Sequence, residues 1–99
     1  MVVRTWRGWT RAEDADRYAA YVRETGLSEY RTTPGNRGAW MLRRADGDRC
    51  EFVTVSVWDS LDDVRGFAGD DVERAVFYPE DDAFLVERET FVRHWELLD

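Results

Sequence analysis

Four runs of the chain carry the β-branched and aromatic residues typical of strands: 2–9, 37–44, 50–58 and 90–98. Between the first two, Ala15, Ala19 and Val22, with Tyr18 beside them, fall at helical spacing. Thr10-Arg-Ala-Glu13 reads as a capping box that opens this helix, and Gly26 supplies the residue that closes it. A second helix is expected from Ser60, whose side chain caps Leu61-Asp-Asp63, with Leu61, Val64, Phe67 and Ala68 as its apolar face. Gly69 interrupts it. Asp70 and Glu73 then resemble a fresh cap for a short turn carrying Val72, Ala75 and Val76, and a further turn is expected over 80–86 after Pro79. Asp46-Gly47 marks a tight hairpin between the middle strands. The order strand, helix, strand, strand, helix, strand is the ferredoxin-like βαββαβ unit: α+β, a four-stranded antiparallel sheet with its helices on one face.

The strands break the one-sided pattern that such a sheet requires. With helices over one face only, apolar residues belong on a single phase of each strand. Here Val53, Val55 and Val57 occupy one phase while Phe52 and Trp58 occupy the other, and Trp40 and Leu42 oppose Met41. Trp6 is split from Trp9, and Phe91, Trp95 and Leu97 from Val92 and Leu98. Each Trp or Phe buries about 150–250 Å² at roughly 25 cal/mol per Å², so an uncovered face forgoes several kcal/mol. A second copy packing sheet to sheet removes that cost, which predicts a homodimer closed into an α+β barrel. The inward polar residues Arg4, Thr54, Ser56, Arg93 and Glu96 are then expected to satisfy one another across the seam.

Composition narrows the class. Ninety-nine residues make a single domain over 1–99 with a thin core. A net charge of −7 disfavours nucleic acid and anionic membrane surfaces as partners, and no run reaches the length of a membrane span. The opening residues lack the apolar core of a signal peptide, and Cys50 is the single cysteine, so a cytoplasmic protein is expected. All 14 basic residues are Arg, a bias that reads as GC-rich coding rather than function.

Few residues carry obvious chemistry. His94 is the one side chain with an ordinary pKa near neutrality and so the natural proton-transfer candidate; the competing reading places it structurally at the sheet edge. Tyr78, before Pro79, is placed to donate a proton or hydrogen bond, against a reading as core packing. Trp58 and Trp40 weigh toward packing as bulky strand aromatics. One His and one Cys furnish no transition-metal site, no calcium-loop spacing is present, and the runs Asp62-Asp63, Asp70-Asp71 and Glu80-Asp-Asp82 are explained by helix starts. No metal is therefore expected, and Cys50, with only Arg49 beside it, reads as inert.

The segment Phe52-Val-Thr-Val-Ser-Val-Trp58-Asp-Ser60-Leu61 and the apolar helix after it resemble the strand-to-helix junction of antibiotic biosynthesis monooxygenase domains, of the dimeric α+β barrel group. The Arg4 to Thr10 opening and the Val92 to Leu97 ending strengthen the likeness, which spans nearly the whole chain. The resemblance implies a cofactor-independent oxygenase whose substrate, a small aromatic or polyketide-type molecule, lies between sheet and helices. The substrate's own electron-rich ring takes the place of a metal or flavin, and the protein supplies acid/base groups. On that reading Trp58, Phe67, Phe77 and Trp40 bind substrate, with His94 and Tyr78 as catalytic groups. The haem-degrading branch of the family shares Trp58, but it carries an Asn in the first strand and a His on the second helical segment. This chain lacks that Asn and has Phe77 near the His position, so haem is not expected. Two other readings stay open: a non-catalytic small-molecule-binding or stress-associated module, and a polyketide cyclase or isomerase.

Overall fold

A computed structural model describes residues 1–99. Its strands are β1 (Val2–Arg11), β2 (Asn36–Asp46), β3 (Arg49–Trp58), β4 (Leu85–Arg88) and β5 (Arg93–Glu96), all antiparallel, in the order β2-β3-β1-β4 with β5 also on β1. The helices are α1 (Ala15–Glu24), α2 (Gly26–Thr32), α3 (Leu61–Ala68) and α4 (Asp81–Phe84). The ferredoxin-like plan expected from the sequence is present. The sheet has five strands rather than four because its last edge is split. β5 pairs with Val2–Thr5 and β4 with Gly8–Thr10, end to end along β1, with the register shifting between Trp9 and Thr10.

The middle hairpin pairs Asp46 with Arg49, and Gly47, at φ +64, takes the left-handed conformation that its tight turn demands. Ser60 caps α3 as expected, its Oγ accepting from the Asp63 backbone N–H at 3.3 Å. The Thr10 capping box does not form. Thr10 lies inside β1, fully buried, and its hydroxyl donates to the Arg11 carbonyl. β1 therefore runs two residues further than its pattern implied. A 3-10 turn, Ala12–Asp14, leads into α1, with the buried Asp14 carboxylate gripped by Arg11 and Arg17. Gly26 opens α2 instead of closing the first helix: the break falls at Thr25, and Leu27 and Tyr30 carry a second apolar face into the core. The segment 70–80 forms no helix, but Arg74 donates to the Asp71 carbonyl at 3.2 Å in a single turn around Val72, and Ala75 and Val76 continue it as loop. Ala75 donates to the Thr90 carbonyl and Val92 to that of Glu73, which sews the loop to the approach to β5.

Even-numbered residues of β1 and β3 face the helices: Arg4, Trp6, Phe52, Thr54, Ser56 and Trp58 are all buried there. They meet Tyr18, Val22, Leu27, Tyr30 and Val64 from the helices in one core. On the opposite face Trp40, Leu42 and Trp95 are each more than half exposed and Leu97 is 41% exposed. Trp9 on that face is covered by the chain itself, with the Arg7 and Arg49 guanidinium groups 5.1 and 5.5 Å from its ring.

Candidate functional site

A cavity lies between the helix-facing side of the sheet and the helices. β1 gives it Arg4 and Trp6, β3 gives Thr54, α1 and α2 give Tyr18, Val22 and Tyr30, and α3 gives Phe67. The loop before α4 closes it with Ala75, Val76, Phe77 and Tyr78, and α4 adds Asp81. The wall is largely aromatic: Tyr30 tilts against Phe67 at 4.4 Å, and Trp6 meets Phe77 edge-on at 6.3 Å. About 40 Å³ of it is open to the centre of a water molecule, so an aromatic ligand enters only as side chains at the rim swing aside. Phe77, 37% exposed, and Tyr78 stand on a segment with no regular secondary structure, where such movement is cheapest.

One basic and one acidic side chain, Arg4 and Asp81, reach this cavity. Arg4 is 1% exposed, the only buried arginine of the chain. Its Nη1 donates to the Val72 carbonyl at 2.5 Å and to His94 Nε2 at 3.1 Å, and Nη2 donates to the Arg74 carbonyl at 3.0 Å. Its Nε has no partner, and no carboxylate pairs with it. Burial lowers the Arg4 pKa, with the neighbouring Tyr30 phenol acting in the opposite sense. Asp81, 5% exposed, accepts from the Tyr78 backbone N–H at 2.6 Å. Burial raises its pKa above the ordinary 3.8, only partly offset by that hydrogen bond and by Arg88. Tyr18 beside it is pushed well above an ordinary phenol, by burial first and then by Asp81.

The residues singled out in the sequence divide. Phe67, Phe77 and Tyr78 line the cavity. Trp58 is wholly buried one layer behind, its Nε1 donating to Ser56 Oγ at 2.9 Å and its ring 6.3 Å from that of Phe67. Trp40 stands on the other face of the sheet. His94, opposite Arg4 across the β1–β5 ladder, meets the site through Arg4 rather than directly. A guanidinium only donates, so the Nε2 it bonds must be unprotonated, which fixes a neutral His94 with its proton on Nδ1. Burial and Arg4 accordingly hold the His94 pKa below 6.5. The Tyr78 hydroxyl donates to Glu29 at 2.7 Å.

Arg4 itself departs from expectation. It faces the helices, not a seam between copies, and it has hydrogen bonds but no ion pair. Asp81 lies in an acidic run that its helix-start position accounts for in the sequence. The signal that distinguishes it from Asp82 is local: the helical phase of α4 turns Asp81 inward and leaves Asp82 exposed. No cluster of three or more His, Cys, Asp or Glu side chains is arranged to hold a metal ion.

No protein-family model matches the sequence, and no curated protein matches it. Solved structures do match its fold. An antibiotic biosynthesis monooxygenase superposes with a TM-score of 0.67 at 16% identity over 100% of both chains. SnoaB, a cofactor-independent oxygenase from Streptomyces nogalater, gives 0.64 at 18% identity over 99% of this chain and 93% of its own. MhuD, solved with two manganese protoporphyrin IX per active site, gives 0.61 at 19% identity over 100% of this chain and 97% of its own. The resemblance drawn from the strand-to-helix junction is thus borne out in the fold.

Proposed function

We propose that this chain is a cofactor-independent monooxygenase-like enzyme for a small aromatic or polyketide-type molecule, active as a homodimer. The observation that carries the reading is the aromatic cavity with Asp81 inside it, a buried carboxylate whose raised pKa makes it a stronger base than an exposed one. Proton removal is the step such chemistry needs. Loss of a proton from a ring carbon flanked by activating groups gives an electron-rich enolate or phenolate that reacts with dioxygen directly. Converting that CH₂ to a carbonyl consumes one O₂ and releases one water, which balances without an external reductant. Asp81 takes the proton. Tyr78 at the rim donates a hydrogen bond to the ligand once released from Glu29, and His94 acts by positioning Arg4. Phe67 and Phe77 grip the ring, with Trp58 supporting Phe67 from behind.

The homodimer reading rests on the uncovered sheet face, where Trp40, Leu42, Trp95 and Leu97 form the apolar surface that a second sheet covers. Trp40 belongs to that contact rather than to substrate binding. The test is oxygen uptake with a panel of polycyclic phenols: uptake one-for-one with carbonyl product, reduced at least about 100-fold in Asp81→Asn, is expected. No uptake across the panel sinks the oxygenase reading.

A further inference from the structure

A buried arginine without an anion is costly. Removing a guanidinium from water is unfavourable unless a counter-charge or a full set of acceptors replaces the lost solvent. Three hydrogen bonds are made by the two Nη atoms of Arg4, two by Nη1 and one by Nη2, and the buried Nε–H has no partner at all. Nε and the adjacent Nη2 form the guanidinium edge that matches two oxygens of a carboxylate, and the Nε–H alone can take one enolate oxygen. The acceptors that Arg4 does have are two neutral carbonyls and a neutral imidazole, so its charge is hydrogen-bonded but uncompensated. The Phe67 ring, which lines the same cavity, lies 5.8 Å from the guanidinium carbon.

We propose that Arg4 is an oxyanion subsite: the aromatic ligand of this cavity bears a carboxylate, phenolate or enolate oxygen that binds the buried, unpartnered Nε edge of Arg4 while its ring lies against Phe67 and Tyr30. This deepens the reading of the cavity as a ligand site and rests on it. The neutral His94 and the two loop carbonyls hold the fork fixed, so little is spent in orienting it when the ligand arrives. In the oxidation proposed above, the same edge holds the oxygen on which charge gathers as Asp81 takes the proton, so the subsite favours the deprotonated form of the ligand over the neutral one.

The experiment compares 4-hydroxybenzoate, its neutral amide and acetate as probes by calorimetric titration of the full chain. The acid is expected to bind at least about tenfold tighter than the amide, and far tighter than acetate, which has the charge without the ring. Arg4→Met is expected to bring acid and amide to similar affinities. As Arg4 also ties down the loop at Val72 and Arg74, that variant is read only if its circular dichroism matches the wild type, with Arg4→Lys beside it. Arginine Nε–H nuclear magnetic resonance spectra of the wild type decide the matter even if neither variant folds. The Nε–H groups of Arg4 and Arg7 are both shielded from solvent, so Arg7→Lys assigns the two signals, and that of Arg4 is expected to move downfield with the acid and stay still with the amide. Equal affinity for acid and amide, acetate binding as tightly as the hydroxy acid, an unmoved protected signal, or no binding of either ring overturns the subsite. Acid binding at Arg4 without oxygen uptake from the phenol panel leaves the subsite standing and removes the oxygenase reading alone.

Discussion

His94 and Asp81 show how burial, rather than residue type, sets the chemistry of a side chain. His94 is neutral because burial disfavours its charged form and the guanidinium bonded to its Nε2 repels a second positive charge, with Glu73 pulling the other way. In the unfolded chain it titrates at the ordinary 6.5, so between that value and its lower folded value the native state binds fewer protons. Its contribution to stability is complete above 6.5 and is lost as pH falls through the folded pKa. Thermal melts between about pH 7.5 and 5.5 should show a falling Tm that flattens in His94→Asn, which accepts from Arg4 at every pH; an equal slope in both refutes the neutral assignment. Asp81 runs the other way. Its raised pKa predicts an acid limb in the turnover profile centred above 3.8, since the base is lost on protonation, and Asp81→Asn should abolish the limb along with most of the rate. A limb that persists in the variant assigns the base elsewhere. Arg4 and Asp81 were hard to pick from the sequence because each stands among like residues, 14 arginines and 21 acids, and only three-dimensional burial separates them. His94 was conspicuous by rarity, yet rarity does not place a side chain in a cavity.

The strands and helices that announced themselves did so through side chains acting locally. Phe52, Thr54, Ser56 and Trp58 alternate cleanly with three valines, and β3 follows that phase to the residue. Ser60 opens α3 by a bond three residues long, and Ser60→Ala should cost about 1 kcal/mol in chemical denaturation. Where the answer depended on distant partners, the local signal misled. Thr10 and Glu13 have capping-box spacing, but Thr10 is drawn into β1 by pairing with Cys50 and Leu85, forty and seventy-five residues away in sequence. β4 is likewise legible only once β1 offers it an edge. Gly8 shows the packing limit of that edge: a Cβ there would meet Trp6 Cη2 at 2.4 Å and Leu85 Cδ2 at 3.1 Å. Gly8→Ala should therefore destabilise by about 1–3 kcal/mol, and a denaturation midpoint unchanged from wild type contradicts the tight contact of β1, β4 and the Trp6 ring.

At the scale of the molecule, the sheet divides its two faces between two tasks. The helix side buries the aromatic cavity with Arg4 and Asp81; the other side leaves Trp40, Leu42, Trp95 and Leu97 exposed. The two-phase strands made this legible in the sequence, because no arrangement of helices on one face covers Trp40 and Met41 together. A narrow cavity over a hydrophobic core of 15 buried residues would gain rigidity from a second sheet packed behind it, so the proposed assembly bears on the site itself. The measurement that bears most directly on this account is sedimentation velocity of the purified chain at micromolar concentration, beside Trp40→Glu. The account predicts a species of twice the 11.7 kDa chain mass that splits to single chains in the variant, with a lower Tm. A wild-type chain that sediments as a stable, well-folded monomer at that concentration contradicts it.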